Sequence, residues 1–268
     1  MTSFRLTSSP WGFRFTPLAE QCRCLRGLGM NHICGQFFAE MAGLLPPDAP
    51  DTVLAAVRVE VGRHGLRYAS FNATGDFMVE PGQVAGEVAA CCQQIDRAAP
   101  FKPEVIIVFA GWQERRDAAV YEQVAASLKQ VARHAATHGL TVALENHGGL
   151  TATVEQVNRI IHAAAEPNLG LNYDPANFAM YGQDPLEALL RVEVPVVFTH
   201  LKSLRTINGK KEYCRLRDGE IDYLPILRRL AKRYTGFYAL EYEDASDVVA
   251  GTRDDCDTLT RWWTEIQK

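Results

Sequence analysis

The stretch Leu140–Gly149, LTVALENHGG, runs a short strand-like and mostly apolar segment into a carboxylate, Glu145. Behind it come an amide, an imidazole and two glycines: Asn146, His147, Gly148 and Gly149. A strand end would ordinarily carry turn chemistry alone. Three later stretches end in the same way. LGLNYD closes on Asp174, VVFTH on His200 and FYALE on Glu241, so the last four candidate strands each finish on a chemically capable side chain.

Working outward, short β-branched or aromatic runs alternate with longer segments of helical period. The strand candidates are Phe4–Thr7, His32–Phe38, Leu66–Asn72, Val105–Ala110, Leu140–Glu145, Leu169–Asp174, Val196–His200 and Phe237–Glu241. Helix starts show between them. Thr16-Pro17 reads as an N-cap with proline at the first helical position, Thr153 with Gln156 as a capping box, and Asp184-Pro185 with Glu187 as another N-terminus. Val120, Val124, Leu128, Val131 and Ala135 step by four and three, and His138-Gly139 closes that helix. Eight strands alternating with helices in about 250 residues predict a single-domain (β/α)8 barrel over 1–268. A doubly wound open sheet is the competitor, because alternation alone does not show closure.

In a barrel the catalytic groups come from the C-terminal ends of several strands. Counting back by two from Glu145 gives Ala143 and Thr141, from Asp174 gives Asn172 and Gly170, and from Glu241 gives Ala239. The capable residues therefore share a face with small or polar neighbours, Phe198 below His200 excepted. Three carboxylates and an imidazole gathered at one place repel one another unless a cation joins them. Hard oxygen donors with one imidazole suit Mn²⁺ or Mg²⁺, with Co²⁺ and Zn²⁺ as further candidates.

In ALENHGG, NYDPANF, THLKS, DGEIDY (Asp218–Tyr223) and YALEYE, taken in this order, the sequence resembles the xylose isomerase-like TIM barrels. That family includes sugar isomerases and epimerases, dehydratases and endonuclease-IV-type nucleases. The resemblance implies that Glu145, Asp174, His200 and Glu241 bind one divalent metal. It further implies an isomerase or epimerase acting on a keto-sugar or related polyol derivative. Glu145 and Glu241 would be the acid–base pair beside the carbonyl, and the metal would offset the enediolate charge.

Some positions depart from the family pattern. Asn177 stands where Asp-x-x-His is common, and a neutral amide suits a sugar hydroxyl better than a metal. Arg215-Leu216-Arg217 replaces the Asp-x-His of the multi-zinc nucleases, which argues against a nuclease. Ser203 occupies the place of a common aspartate after His200-x-Lys202. The candidate substrate-binding residues are His147, Asn177, Lys202, Arg215, Arg217, Trp11 and Trp112, with Phe13 as a further aromatic near the mouth. Glu145-x-His147 also resembles the dehydratases, so a keto-cyclitol or dehydroshikimate-type dehydratase is the alternative reaction. A non-catalytic sugar-binding barrel is the alternative from another class, although all four ligand positions are intact. Asn208-Gly209-Lys210-Lys211 and a helix start at Ser246 are weak phosphate-loop signals. His134 and His138 have metal-like i, i+4 spacing, but at the end of a helix they read as partners of that helix terminus.

Composition agrees with a globular chain: 47% hydrophobic, 22% charged and a formal net charge of −4. The acidic balance and scattered basic residues argue against a nucleic-acid partner. The densest basic cluster, Arg228, Arg229, Lys232 and Arg233, reads as a solvated helix face. No apolar run approaches the roughly 20 residues that span a bilayer, and the N-terminus lacks a signal-type apolar segment. The seven cysteines are odd in number, form no C-x-x-C and fall partly in helix-like segments (Cys22, Cys24, Cys91, Cys92). The expectation is a cytoplasmic protein, possessing a small carbohydrate substrate, no membrane partner and a homo-oligomeric state common in the family.

Overall fold

The computed structural model describes residues 4–39 and 41–268. In chain order the elements are β1 (Arg5–Ser8), α1 (Leu18–Gly27), β2 (His32–Gln36), α2 (Asp51–Arg63), β3 (Arg67–Asn72) and α3 (Val84–Ala98). Then come β4 (Val105–Val108), α4 (Ala118–Thr137), β5 (Thr141–Glu145), α5 (Val154–Ala164), β6 (Leu169–Tyr173), α6 (Pro175–Met180) and α7 (Pro185–Arg191). Last are β7 (Val196–Leu201), the hairpin β8 (Ser203–Ile207) and β9 (Lys210–Cys214), α8 (Tyr223–Leu230), β10 (Phe237–Leu240) and α9 (Val248–Ile266). The eight expected strands are all present, with ends shifted by one or two residues, and their order is β1-β10-β7-β6-β5-β4-β3-β2.

By contacts the chain divides into two compact units, Ser70–Phe198 and the remainder. In Ser70–Phe198, β4 pairs in parallel with β3 and β5, and β5 with β6, placing Ala143 opposite Gly170 and Glu145 opposite Asn172. The VIIV sequence of β4 is buried throughout, as expected of a parallel strand covered on both faces. On α4 the stripe Val120, Val124, Leu128, Val131 and Ala135 is fully buried. Each of the larger side chains contributes about 1.5–3 kcal/mol by leaving water. Asp117 caps α4 by accepting from the Val120 N–H at 3.0 Å, and Thr153 with Gln156 forms the expected capping box on α5.

In the other unit, β1 pairs with β10 and β10 with the end of β7, all parallel. The two ends of the strand order meet here: Thr7 Oγ1 donates to the His32 carbonyl at 3.1 Å, joining β1 to β2. One start signal fails. Thr16 does not cap α1; Pro17 takes the N-cap position, and no side chain bonds there. Arg228, Arg229, Lys232 and Arg233 are exposed, as a solvated face requires.

Asn208-Gly209 is the turn of the β8–β9 hairpin, with both residues at positive φ (51° and 75°). This Asn-Gly pair is the turn chemistry such a hairpin needs. It corrects the phosphate-loop reading: Lys210 and Lys211 belong to an exposed strand. The second phosphate signal fails as well, since α9 begins at Val248 and the Ser246 hydroxyl donates to Asp244 Oδ1 at 2.6 Å.

Candidate active site

Strand β5 delivers Glu145 to its C-terminal end, where the side chain is almost wholly buried. Pairing with β6 sets Asn172 beside it, and Asn172 Nδ2 donates to Glu145 Oε2 at 3.0 Å. Asn177 Nδ2 donates to Glu145 Oε1 at 3.2 Å. Both carboxylate oxygens are thus oriented by neutral amides, which fix a carboxylate without neutralising it. Asn177 consequently serves Glu145, where the sequence suggested a substrate hydroxyl.

Asp174 ends β6 and caps α6: its Oδ1 accepts from the Asn177 N–H at 3.0 Å, with Pro175 at the first helical position. Asn146 clamps this corner from both sides. Its Nδ2 donates to the Asp174 carbonyl and its Oδ1 accepts from the Asp174 N–H, each at 2.8 Å. Sequence reasoning did not give Asn146 or Asn172 a role, although strand parity had placed Asn172 on the same face as Asp174.

His147 lies two residues beyond Glu145, past the end of β5. Its backbone N–H bonds Thr151 Oγ1 at 2.9 Å, while its exposed ring packs edge-on against Phe109 and Trp112, with centroids 5.3 and 5.5 Å away. Trp112 is itself half exposed.

In the other unit, β7 delivers His200 and β10 runs into Glu241. His200 Nδ1 lies 3.6 Å from Glu241 Oε1, and both side chains are buried. Glu241 also accepts from Ser9 Oγ at 2.5 Å and from Lys202 Nζ at 2.7 Å. Burial alone would raise the Glu241 pKa; the charges of His200 and Lys202 and the two hydrogen bonds outweigh it and hold the carboxyl below the usual range. Lys202 Nζ reaches Glu243 Oε1 at 3.0 Å as well. There burial wins, and the Glu243 pKa is raised against the opposing pull of Lys202. Lys202 is thus held between two carboxylates; Glu243, the last residue of YALEYE, and Ser9, outside every motif, join the site with no role foreseen from the sequence.

Arg215 and Arg217 are committed elsewhere. Arg215 pairs with Asp247 and Asp254, and Arg217 with Asp254 at 2.9 Å, tying the loop before α8 to α9. The hydrogen bond to Asp247 leads the effects that raise the Arg215 pKa further. Trp11 is half-buried, edge-on to Phe38 at 6.0 Å and beneath the Arg14 guanidinium at 5.0 Å, whereas Phe13 is core.

Parallel strands alternating with helices, with chemically capable side chains at the carboxyl ends of successive strands, define an α/β barrel. The chain belongs to the xylose isomerase-like TIM barrel family, whose model matches residues 33–262. Its fold is accordingly the (β/α)8 barrel.

Solved structures agree on the fold. A xylose isomerase-like TIM barrel protein from Mycobacterium smegmatis, in complex with magnesium, is 18% identical, with 99% of this chain and 98% of that one covered and a TM-score of 0.80. L-ribulose 3-epimerase is 17% identical, with 99% and 96% covered and a TM-score of 0.80. A probable 3-DHS dehydratase of petrobactin synthesis from Bacillus anthracis is 18% identical, with 96% and 99% covered and a TM-score of 0.78. Among curated proteins no match was found.

Proposed function

We propose that the protein is a divalent-metal-dependent isomerase or epimerase of a keto-sugar or related polyol derivative, with Glu145, Asp174, His200 and Glu241 as the ligands of one ion. The observation that carries this reading is the burial of all four side chains at the ends of successive strands. A carboxylate is costly to bury without a compensating positive charge. The donor set fits the group: three carboxylates and one imidazole suit a hard or borderline divalent ion, Mn²⁺ or Mg²⁺ first. The magnesium complex of the Mycobacterium smegmatis relative supports the same choice.

When bound, the ion supplies Lewis-acid polarisation of a carbonyl and its neighbouring hydroxyl. Glu145, both oxygens oriented by Asn172 and Asn177, takes the proton from the carbon beside the carbonyl. Glu241, held in place by Ser9 and Lys202, delivers a proton to the opposite face from its protonated form, while the proton bound by Glu145 passes to solvent. His147 and Trp112 offer an imidazole and an indole face to a sugar ring. The similarity to L-ribulose 3-epimerase supports an epimerisation. Residues 1–268 act as one catalytic domain on a small carbohydrate, and the seven cysteines, none of them in a disulfide, support a cytoplasmic setting. No helix among the described residues is long and apolar enough to cross a membrane.

One observation favours the dehydratase reading: the His147 ring stands exposed on Phe109 and Trp112, two residues beyond Glu145, where it could protonate a leaving hydroxyl. Incubating ketoses and keto-cyclitols with enzyme and Mn²⁺ in D₂O decides between them. Deuterium wash-in with a change of configuration or carbonyl position supports the isomerase–epimerase. Loss of water to an unsaturated product assigns the dehydratase instead.

A further inference from the structure

We propose that Asp96, His134 and His138 form a second divalent-metal site, suited to zinc, on the outer helices of Ser70–Phe198 and independent of the centre proposed above. Asp96 lies in the last turn of α3, His134 in the last turn of α4, and His138 is the C-cap of α4. The four-residue spacing stacks both imidazoles on one side of the helix. Both Nε2 atoms lie 2.7 Å from the same Asp96 oxygen, Oδ1. The donor atoms of the three residues all fall within 4.8 Å of one another. The two rings are 5.6 Å apart at 68°, so they converge on the carboxylate without stacking face to face.

That geometry departs from a simple helix-terminus interaction, because the convergence point is a carboxylate from another helix. Zinc bonds of about 2.0–2.2 Å to nitrogen and oxygen set tetrahedral ligand atoms roughly 3.3 Å apart. The present 2.7 Å contacts need open by only about half an ångström for an ion to replace the shared hydrogen bonds. Two imidazoles and one carboxylate form a borderline donor set that selects zinc over Mg²⁺ or Mn²⁺. The imidazoles are about one-third exposed (32% and 31%), which leaves room for entry of the ion and for water in the fourth position. The C-terminal end of α4 adds a negative partial charge that favours a cation there.

Zinc is titrated calorimetrically into the whole protein, with wild type, H134A/H138A and D96N compared. Wild type is expected to take up one equivalent more than H134A/H138A, with D96N binding that equivalent at least about tenfold more weakly. Zinc should also raise the Tm of wild type further than that of H134A/H138A, since the ion ties α3 to α4. Equal stoichiometry and affinity in wild type and H134A/H138A would overturn the site. If the strand-end centre were wrong, the total would fall by one in every protein while the difference between them stayed at one.

Discussion

The Lys202 ammonium donates to Glu241 Oε2 at 2.7 Å with both side chains nearly excluded from solvent, at 3% and 6% exposure. An ion pair in that position is strong in the sense that matters for mutation: losing one partner strands the other. Lys202→Met leaves buried Glu241 and half-buried Glu243 without their shared cation and is expected to cost about 3–5 kcal/mol of stability. Urea denaturation measures this. The double variant Lys202→Met/Glu241→Gln should lose less than the sum of the two single losses by at least about 1 kcal/mol. Strict additivity would show that the pair is not coupled.

Glu145 depends on its two amides in a way that separates orientation from chemistry. Asn172→Ala or Asn177→Ala should lower kcat about 10–100-fold while leaving Glu145 present, the range seen when groups that orient a metal ligand are lost. Metal affinity should fall in parallel. Asn177→Asp places a second carboxylate 3 Å or so from Glu145 and should be worse than alanine, through like-charge repulsion.

Asp255 gives the pH dependence. It is wholly buried on α9, its Oδ1 accepts from the Leu216 N–H at 2.7 Å, and its Oδ2 has no hydrogen-bond partner among the described residues. Burial leads the effects that push its carboxyl up to about 7. The folded state therefore holds a proton that the unfolded chain releases near 3.8, the ordinary value for an aspartate. Stability declines as pH rises from about 4 towards 7, and the penalty is complete above that. Asp255→Asn keeps the acceptor for Leu216 and removes the ionisation. It is expected to be close to neutral at pH 4 and stabilising by on the order of 3 kcal/mol at pH 8. Thermal melts across that range read the difference, and a constant offset at both pH values would contradict it.

Gly170 sits opposite Ala143 on the face that carries Asn172. A Cβ there would come within 2.6 Å of the Pro195 carbonyl oxygen and 2.7 Å of Val197 Cγ1. The first neighbour is backbone and cannot swing away. Gly170→Ala is expected to destabilise by about 1–3 kcal/mol, the usual range for overpacking, read as a fall in the denaturation midpoint.

The strands were legible because buried parallel strands are short apolar runs, and β5, β6, β7 and β10 announce their ends with polar side chains. The pairing of Asn172 with Glu145 was half legible, from parity, and needed the β5–β6 register to complete it. Arg215 and Arg217 looked available for substrate because their partners, Asp247 at the start of α9 and Asp254 on it, lie more than thirty residues later. Asp96 was hidden from the His134–His138 pair for the same reason, being brought in by helix packing alone. The Asn208-Gly209 hairpin was different: its turn signal was in the sequence, but the neighbouring lysines suggested a phosphate loop.

In the proposed centre, Glu145, Asp174, His200 and Glu241 hold one divalent ion. Mn²⁺ binding followed by electron paramagnetic resonance tests it most directly, because manganese prefers this oxygen-rich set to Asp96, His134 and His138. One tight equivalent is expected in wild type, retained in H134A/H138A and lost in His200→Ala and Glu145→Gln. A wild-type protein that takes up no manganese, or a His200→Ala protein that binds it undiminished, would contradict it.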